Sequence, residues 1–309
     1  MQRWQPTASI EAIKARAQMY RLIRDFFSDR AVIEVDTPLV ADCSVTDPHI
    51  DSLQLAQGNY LQTSPEYAIK RLLAAGVPDC FEITKAFRAE EQGRRHHTEF
   101  TLLEWYRIGF DLWDLMDEMA DLIEQLLGCH HFEHKSYRTC FEEVLGFNPH
   151  TISDEQLIFE AKQLVDIEMR GASRDDWLHL LMSHAIEPEL GQQAPVFVFD
   201  YPPSQAALAR INRDESGEQV AARFELYYRG LELANGYHEL ADAAVQKQRF
   251  HQDNAERIKA GGQAMPVDYA FLDALESGLP DCSGVALGLD RVLMLALNTD
   301  RIDDVITFR

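Results

Sequence analysis

Two apolar runs, residues 81–87 (FEITKAF) and residues 100–107 (FTLLEWYR), flank a stretch that reads RAEEQGRRHHTE. Both runs are rich in aromatic and β-branched residues and have the length of strands. The charged stretch between them is a long hairpin loop. Strands joined this way run antiparallel, because a parallel pair needs a crossover, usually a helix.

The rest of the chain alternates around this hairpin. Residues 9–28 predict an amphipathic helix, with Ile13, Ala17, Tyr20, Ile23, Phe26 and Phe27 at near-helical spacing. Residues 32–35 read as a strand ended by Thr37-Pro38, and residues 59–62 as a second short strand. Ser64-Pro65-Glu66 then supplies a capping serine, a proline at the first helical position and an acid in the first turn of a helix reaching about Ala75. Residues 111–127 are strongly periodic and helical. Residues 130–195 read as mostly helical, with breaks near Pro149, Gly171 and Pro188, and are expected to form an insertion. Residues 196–200, 224–233 and 283–287 read as strands, and residues 241–260 and 288–298 as helices. The expected fold is α+β: an antiparallel sheet flanked by helices, in one domain spanning residues 1–309.

Length and charge narrow the function. The 309 residues are enough to bury a sizeable core. With 29 basic and 51 acidic side chains the formal charge is −22, which disfavours nonspecific nucleic-acid binding. The five cysteines form no CxxC pair and are odd in number, which is simplest as reduced cytosolic thiols. The first residues lack the apolar core of a signal peptide, and no run is long enough to span a bilayer, so a cytoplasmic protein with no membrane partner is expected.

Three places carry candidate chemistry. Arg88 and Glu90 project to one side of a strand end; a guanidinium there suits a phosphate and a carboxylate suits an exocyclic amine, although a surface ion pair has the same look. Glu232 and Glu239, within ELANGYHEL, offer hard oxygen ligands for magnesium, and equally a solvated hairpin. In GVALGLDR, residues 284–291, small residues permit close approach of a ligand and Arg291 falls in the first turn of a helix; a tight packing joint is the alternative. Cys129, His130, His131 and His134 have the spacing of no standard zinc site. Arg94 and Arg95 at the loop tip face either a ligand or solvent, and Trp105 reads as core.

Taken in order over nearly the whole chain, these stretches resemble the three signature motifs of class II aminoacyl-tRNA synthetases, and most of all those of the lysyl branch. Motif 1 resembles the long helix, strand and proline ending at Pro38; motif 2 resembles residues 87–100; motif 3 resembles residues 284–291. Thr63-Ser64-Pro65-Glu66 and ELANGYHEL between them strengthen the match. The resemblance implies ATP and Mg2+ and the formation of an aminoacyl-adenylate. It implies that Arg88 and Arg291 are catalytic through their grip on the phosphates. Ala89, Glu90, His97, Phe100, Glu232, Leu233 and Gly288 complete the ATP site, with Glu90 reading the adenine amine and Phe100 stacking on the ring. Glu232 and Glu239 hold the metal. Ser64, Pro65, Glu66, Tyr106, Glu239 and Ala286 line the amino-acid pocket.

Motif 1 begins within the first ten residues, which leaves no room for an anticodon-binding barrel. The resemblance is therefore to lysyl-branch paralogues that do not charge tRNA. It implies (R)-β-lysine as the amino acid and a lysine ε-amine of elongation factor P, a protein shaped like tRNA, as the acceptor. Ala286 stands where lysyl-tRNA synthetases usually have glycine, and its methyl would crowd an α-amino group. A lysyl-tRNA synthetase-like enzyme with another acceptor, or a non-catalytic regulatory paralogue, are the competing expectations. Motif 1 implies a homodimer. Ala31, Ala89 and His97-Thr98 depart from the family pattern, where a glycine, an asparagine and Asn-Pro are usual.

Overall fold

The computed structural model describes residues 4–89, 92–165, 169 and 171–309. Its strands are β1 (Ile33–Glu34), β2 (Val40–Ala41), β3 (Tyr60–Leu61), β4 (Cys80–Phe87), β5 (Glu99–Ile108), β6 (Glu133–Ser136), β7 (Val196–Tyr201), β8 (Ile211–Arg213), β9 (Gln219–Tyr228), β10 (Leu231–His238) and β11 (Cys282–Gly288). Its α-helices are α1 (Ile10–Ser28), α2 (Glu66–Ala74), α3 (Leu112–Leu127), α4 (Tyr137–Leu145), α5 (Asp154–Leu164), α6 (Arg174–Leu181), α7 (Ala243–Lys259), α8 (Tyr269–Gly278) and α9 (Leu289–Ala296). Two compact units emerge: Met1–Gly128 with Leu240–Arg309, and Cys129–Glu239.

In the first unit the strands lie in the order β1-β4-β5-β11. β1 joins β4 in parallel, and β4, β5 and β11 are mutually antiparallel, as the hairpin required. One face of this sheet is closed by helices. Ser9 caps α1 by accepting from the Ala12 amide at 3.1 Å, and the helix buries Ala12, Met19, Ile23, Phe26 and Phe27. Phe27 stacks on Phe81 with centroids 4.5 Å apart and meets Trp105 edge-on at 5.4 Å. Asp111 and Asp114 form a capping box at the start of α3, and Gly128 ends that helix at φ 70°, where a left-handed residue is needed. The Trp105 indole donates to Glu118 of α3 at 3.0 Å. The other face of the sheet carries the candidate site.

The second unit has the order β10-β9-β7-β6, with β8 added to β9. β6 and β7 are parallel and the remaining pairs antiparallel. Helices α4 to α6 bury Tyr137, Phe141, Trp177 and Leu181 against Val198 and Tyr201. The expected antiparallel sheet with flanking helices is present in both units.

Several local expectations need correction. Residues 224–233 are not one strand. Arg229 and Gly230 sit at φ 52° and 66° and close a two-residue turn between β9 and β10, with Tyr228 opposite Leu231. Gly236 lies inside β10 opposite Phe224. The stretch 130–195 contains β6, a short strand without apolar alternation that pairs with Val196 through Phe199. The cap of α2 is Pro65, one residue later than expected, and the Ser64 hydroxyl accepts from the Glu66 amide at 3.4 Å. Ala31, the residue that replaces a motif 1 glycine, adopts φ 57°, a conformation that glycine holds more cheaply.

Candidate active site

Strand register gathers the predicted residues of the first unit. Glu82 pairs with Glu104, which pairs with Ala286; Cys80 pairs with Tyr106, which pairs with Gly284; Thr84 pairs with Leu102, which pairs with Gly288. Paired residues project to the same side of a sheet, and side chains alternate along each strand. Phe100, Tyr106, Ala286 and Gly288 therefore share one face, opposite the face that Phe81, Trp105 and Val285 present to the helices. Ala286 and Gly288 are half-buried while Val285 and Leu287 are buried, as this alternation demands.

The floor of this face is shaped by a glycine. A methyl group on Gly284 would come 2.2 Å from Cε1 of Tyr106, so the phenol ring occupies the space above β11 that only glycine leaves open. The Tyr106 hydroxyl donates to Glu104 Oε1 at 2.7 Å. Glu104 is 2% exposed and opposite Ala286, and sequence reasoning missed it. The available signal was a single carboxylate inside the buried run TLLEWY. Glu82, also missed, accepts from the Thr37 amide at 3.1 Å and its hydroxyl at 2.8 Å. Burial raises the Glu82 carboxyl, and the Thr37 donors work against that rise.

Arg88 follows β4 directly. Its guanidinium carbon lies 5.1 Å from the Phe100 ring centroid, and its amide donates to the Thr98 carbonyl at 3.0 Å, closing the base of the loop. The Ala89 amide donates to the Asp51 carbonyl at 2.7 Å. Arg291 lies in the first turn of α9. That turn is anchored by Asp290, which is 2% exposed and accepts from Arg16 Nη2 at 2.5 Å and from the Thr101 amide at 2.7 Å. Arg291 Nη2 donates to His96 Nε2 at 2.8 Å, which places the ring proton of neutral His96 on Nδ1. The two arginines thus meet the same loop, one at its base and one at its tip.

The loop tip is tied further by an Arg94–Asp300 ion pair and by the Ile302 amide, which donates to the Arg94 carbonyl at 2.9 Å. His97, the expected nucleotide contact, has its Nδ1 2.8 Å from the Glu99 carbonyl and 3.2 Å from the Glu99 amide. The neighbouring His96 is the histidine that reaches Arg291. Glu90 lies outside the described residues.

Ser64, Pro65 and Glu66 stand at the start of α2. Glu66 Oε1 is 2.6 Å from Nζ of Lys70, whose side chain is 1% exposed. Tyr67 stacks on Phe271 with centroids 4.6 Å apart and touches Phe250 of α7 at 5.7 Å.

In the second unit, Glu232, Leu233 and Asn235 lie on β10, with a register shift between Glu232 and Ala234, and Glu239 follows the strand. Glu232 is half-buried; Leu233 and Glu239 are buried. The Glu239 carbonyl accepts from Nε and Nη2 of Arg210 at 3.2 and 3.0 Å, which fixes the end of the strand. Among the described residues no three His, Cys, Asp or Glu side chains gather as a complete cation site. The two glutamates offer the hard oxygen donors that a magnesium ion takes.

Comparison with known proteins agrees with this layout. The profile of the family described as tRNA synthetases class II (D, K and N) matches residues 4–309. A Vibrio campbellii protein named elongation factor P–(R)-β-lysine ligase is 49% identical, over 99% of this chain and 97% of its own length. Proteins of the same name from Edwardsiella ictaluri and Salmonella arizonae are 47% and 46% identical, over 100% and 99% of this chain and 98% and 97% of theirs. Because the match runs from end to end and the motif 2 hairpin and the motif 3 strand and helix pack side by side as the signatures require, the chain belongs to the class II tRNA synthetase family of the D, K and N branch.

Proposed function

We propose that this chain is an ATP-dependent ligase that activates (R)-β-lysine as an adenylate and transfers it to a lysine ε-amine of elongation factor P. The observation that carries this reading is the full-length similarity to ligases of that name, 46–49% identical. The pocket face supports a cationic amino acid. Glu104 is a buried carboxylate partnered by a phenol hydroxyl, Glu66 stands at the start of α2, and Ala286 adds a methyl opposite Glu104.

ATP supplies the electrophilic α-phosphorus. The amino-acid carboxylate attacks it in line and pyrophosphate leaves. Arg88 steadies the α-phosphate and Arg291 the γ-phosphate, stabilising charge that develops in the transition state. Phe100 and Gly288 hold and admit the adenine, with Ala89, Glu90 and Leu233 beside the nucleotide. His97 joins them from the loop, where its neighbour His96 meets Arg291. Glu232 and Glu239 hold Mg2+. Ser64, Pro65, Glu66, Tyr106, Glu104 and Glu239 orient the substrate amines, which is chiefly a gain in positioning. The neutral ε-amine of the acceptor then attacks the acyl carbonyl and AMP leaves, forming an amide and releasing a proton.

We assign the working form to a cytoplasmic homodimer in which each chain is one catalytic domain. No helix among the described residues is long and apolar enough to cross a membrane.

The test is pyrophosphate exchange with each lysine isomer, followed by mass spectrometry of elongation factor P. Exchange should favour (R)-β-lysine over α-lysine, and one acceptor lysine should gain a lysyl mass. Arg88→Ala should lower kcat/KM by about 10²–10³ while the protein stays folded. A wide preference for α-lysine with charging of tRNA would overturn the assignment.

A further inference from the structure

Residues 42–53 cross the first unit without regular secondary structure. A segment of this kind has no ladder to satisfy its carbonyls, so something else must do so. One side chain does much of it. Arg257, on the last turn of α7 and 6% exposed, donates from Nε to the Thr46 carbonyl at 3.0 Å and from Nη2 to the Asp47 carbonyl at 2.7 Å. Its Nη2 also donates to the Ile50 carbonyl, and Nη1 lies 3.5 Å from Asp51 Oδ1. One turn earlier on α7, Asp253 accepts from the Thr46 hydroxyl at 2.6 Å. A planar guanidinium suits this work because its donors point in fixed directions at several acceptors at once.

The loop held in this way lies between two parts of the proposed site. At one end the Asp51 carbonyl accepts the Ala89 amide at 2.7 Å, immediately after Arg88. At the other, α7 packs through Phe250 on Tyr67 and Phe271, beside Glu66. Every one of these contacts lies within the first unit.

We propose that Arg257 is a positioning residue for the nucleotide end of the site. It holds residues 46–51 so that the Asp51 carbonyl fixes the Ala89 amide and, through it, the backbone that carries Arg88. This role rests on the ligase reading for its catalytic consequence and on hydrogen bonds alone for its structural one.

Two variants and two measurements test it. Hydrogen exchange at the Ala89 amide reports the loop without any substrate, with the Ile69 amide, bonded to the Pro65 carbonyl at 2.9 Å, as the control. In Arg257→Met, exchange at Ala89 should quicken by about tenfold or more while Ile69 keeps its wild-type rate. The KM for ATP in pyrophosphate exchange should rise by about tenfold with kcat within about threefold, and added methylguanidinium should restore part of it. Arg257→Lys, which keeps the charge but reaches fewer carbonyls, should fall between, and it decides the matter if the methionine variant does not fold. Wild-type exchange at Ala89 in the lysine variant overturns the proposal. So does a loss in kcat and thermal stability alike that methylguanidinium leaves unchanged. Because the exchange measurement needs no catalysis, a failed ligase assignment and a failed latch give different results.

Discussion

The two units hold some of their buried carboxylates with different donors. In the first, hydroxyl and amide donors meet the acids of the pocket face: Glu104 receives the Tyr106 hydroxyl and Glu82 receives the Thr37 amide and hydroxyl. In the second, charge is closed on itself. Arg223 pairs with Glu225, donates from Nη1 to the Gln205 carbonyl at 2.8 Å and from Nε to Asn235 Oδ1 at 3.2 Å, and lies 4.5 Å over the Tyr201 ring. Glu225 also accepts from Tyr201 at 2.6 Å and from Tyr227. Burial alone would raise the Glu225 carboxyl, but Arg223 and the two tyrosine hydroxyls more than offset it and hold it below the usual range. Glu104 and Glu82 on the first unit's sheet face receive hydroxyl or amide donors, whereas the strand pair that carries Glu232 and Asn235 is stiffened by a network built on a buried guanidinium.

The sharpest way to break this comparison is to open the closed network. Arg223→Met would leave Glu225 buried opposite a thioether, and stability should fall by about 3–5 kcal/mol in urea unfolding. A loss under about 1 kcal/mol would mean that the network is a passenger. Gly284→Ala tests the pocket face. The added methyl must displace the Tyr106 ring, so stability should fall by about 1–3 kcal/mol. The KM for the amino acid should rise well beyond what that loss explains, as steady-state pyrophosphate exchange would reveal; an unchanged KM would show that Tyr106 does not shape the pocket.

The smallest effect concerns protons. Burial pushes Asp253 in the first unit and Asp200 in the second up to about 6. Asp47 and Glu256 raise Asp253 further while Thr46 and Arg249 lower it, and Asp214 and Glu215 raise Asp200. Each folded-state value lies above that of an unfolded aspartate, near 3.9. The stability each contributes is therefore full below about pH 4 and is lost as pH rises through about 6. Asp253→Asn and Asp200→Asn should each remove a decline of about 1 kcal/mol between pH 5 and 7.5, a figure reduced for partial exposure. Denaturant titrations at several pH values check this, and parallel curves for variant and wild type would refute it.

What could be read locally was read well. The β4–β5 hairpin, α1 with its Ser9 cap and α3 with its Asp111 cap follow from periodicity and capping, which act within a few residues. The Arg229–Gly230 turn escaped because arginine at positive φ breaks the usual turn vocabulary, so β9 and β10 merged into one apparent strand. β6 escaped because it lacks apolar alternation and exists only by pairing with β7.

By itself the sequence determined the family, the antiparallel hairpin and the chemical identity of the arginines and acids, since these are written in contiguous motifs. Only the tertiary structure decided that Glu104 faces Ala286, that His96 and not His97 meets Arg291, and that Arg257 secures the loop beneath Arg88. The reason is that these choices depend on strand register and on contacts between residues far apart in the chain. A one-residue slip in the register of β5 would turn Glu104 to the other face.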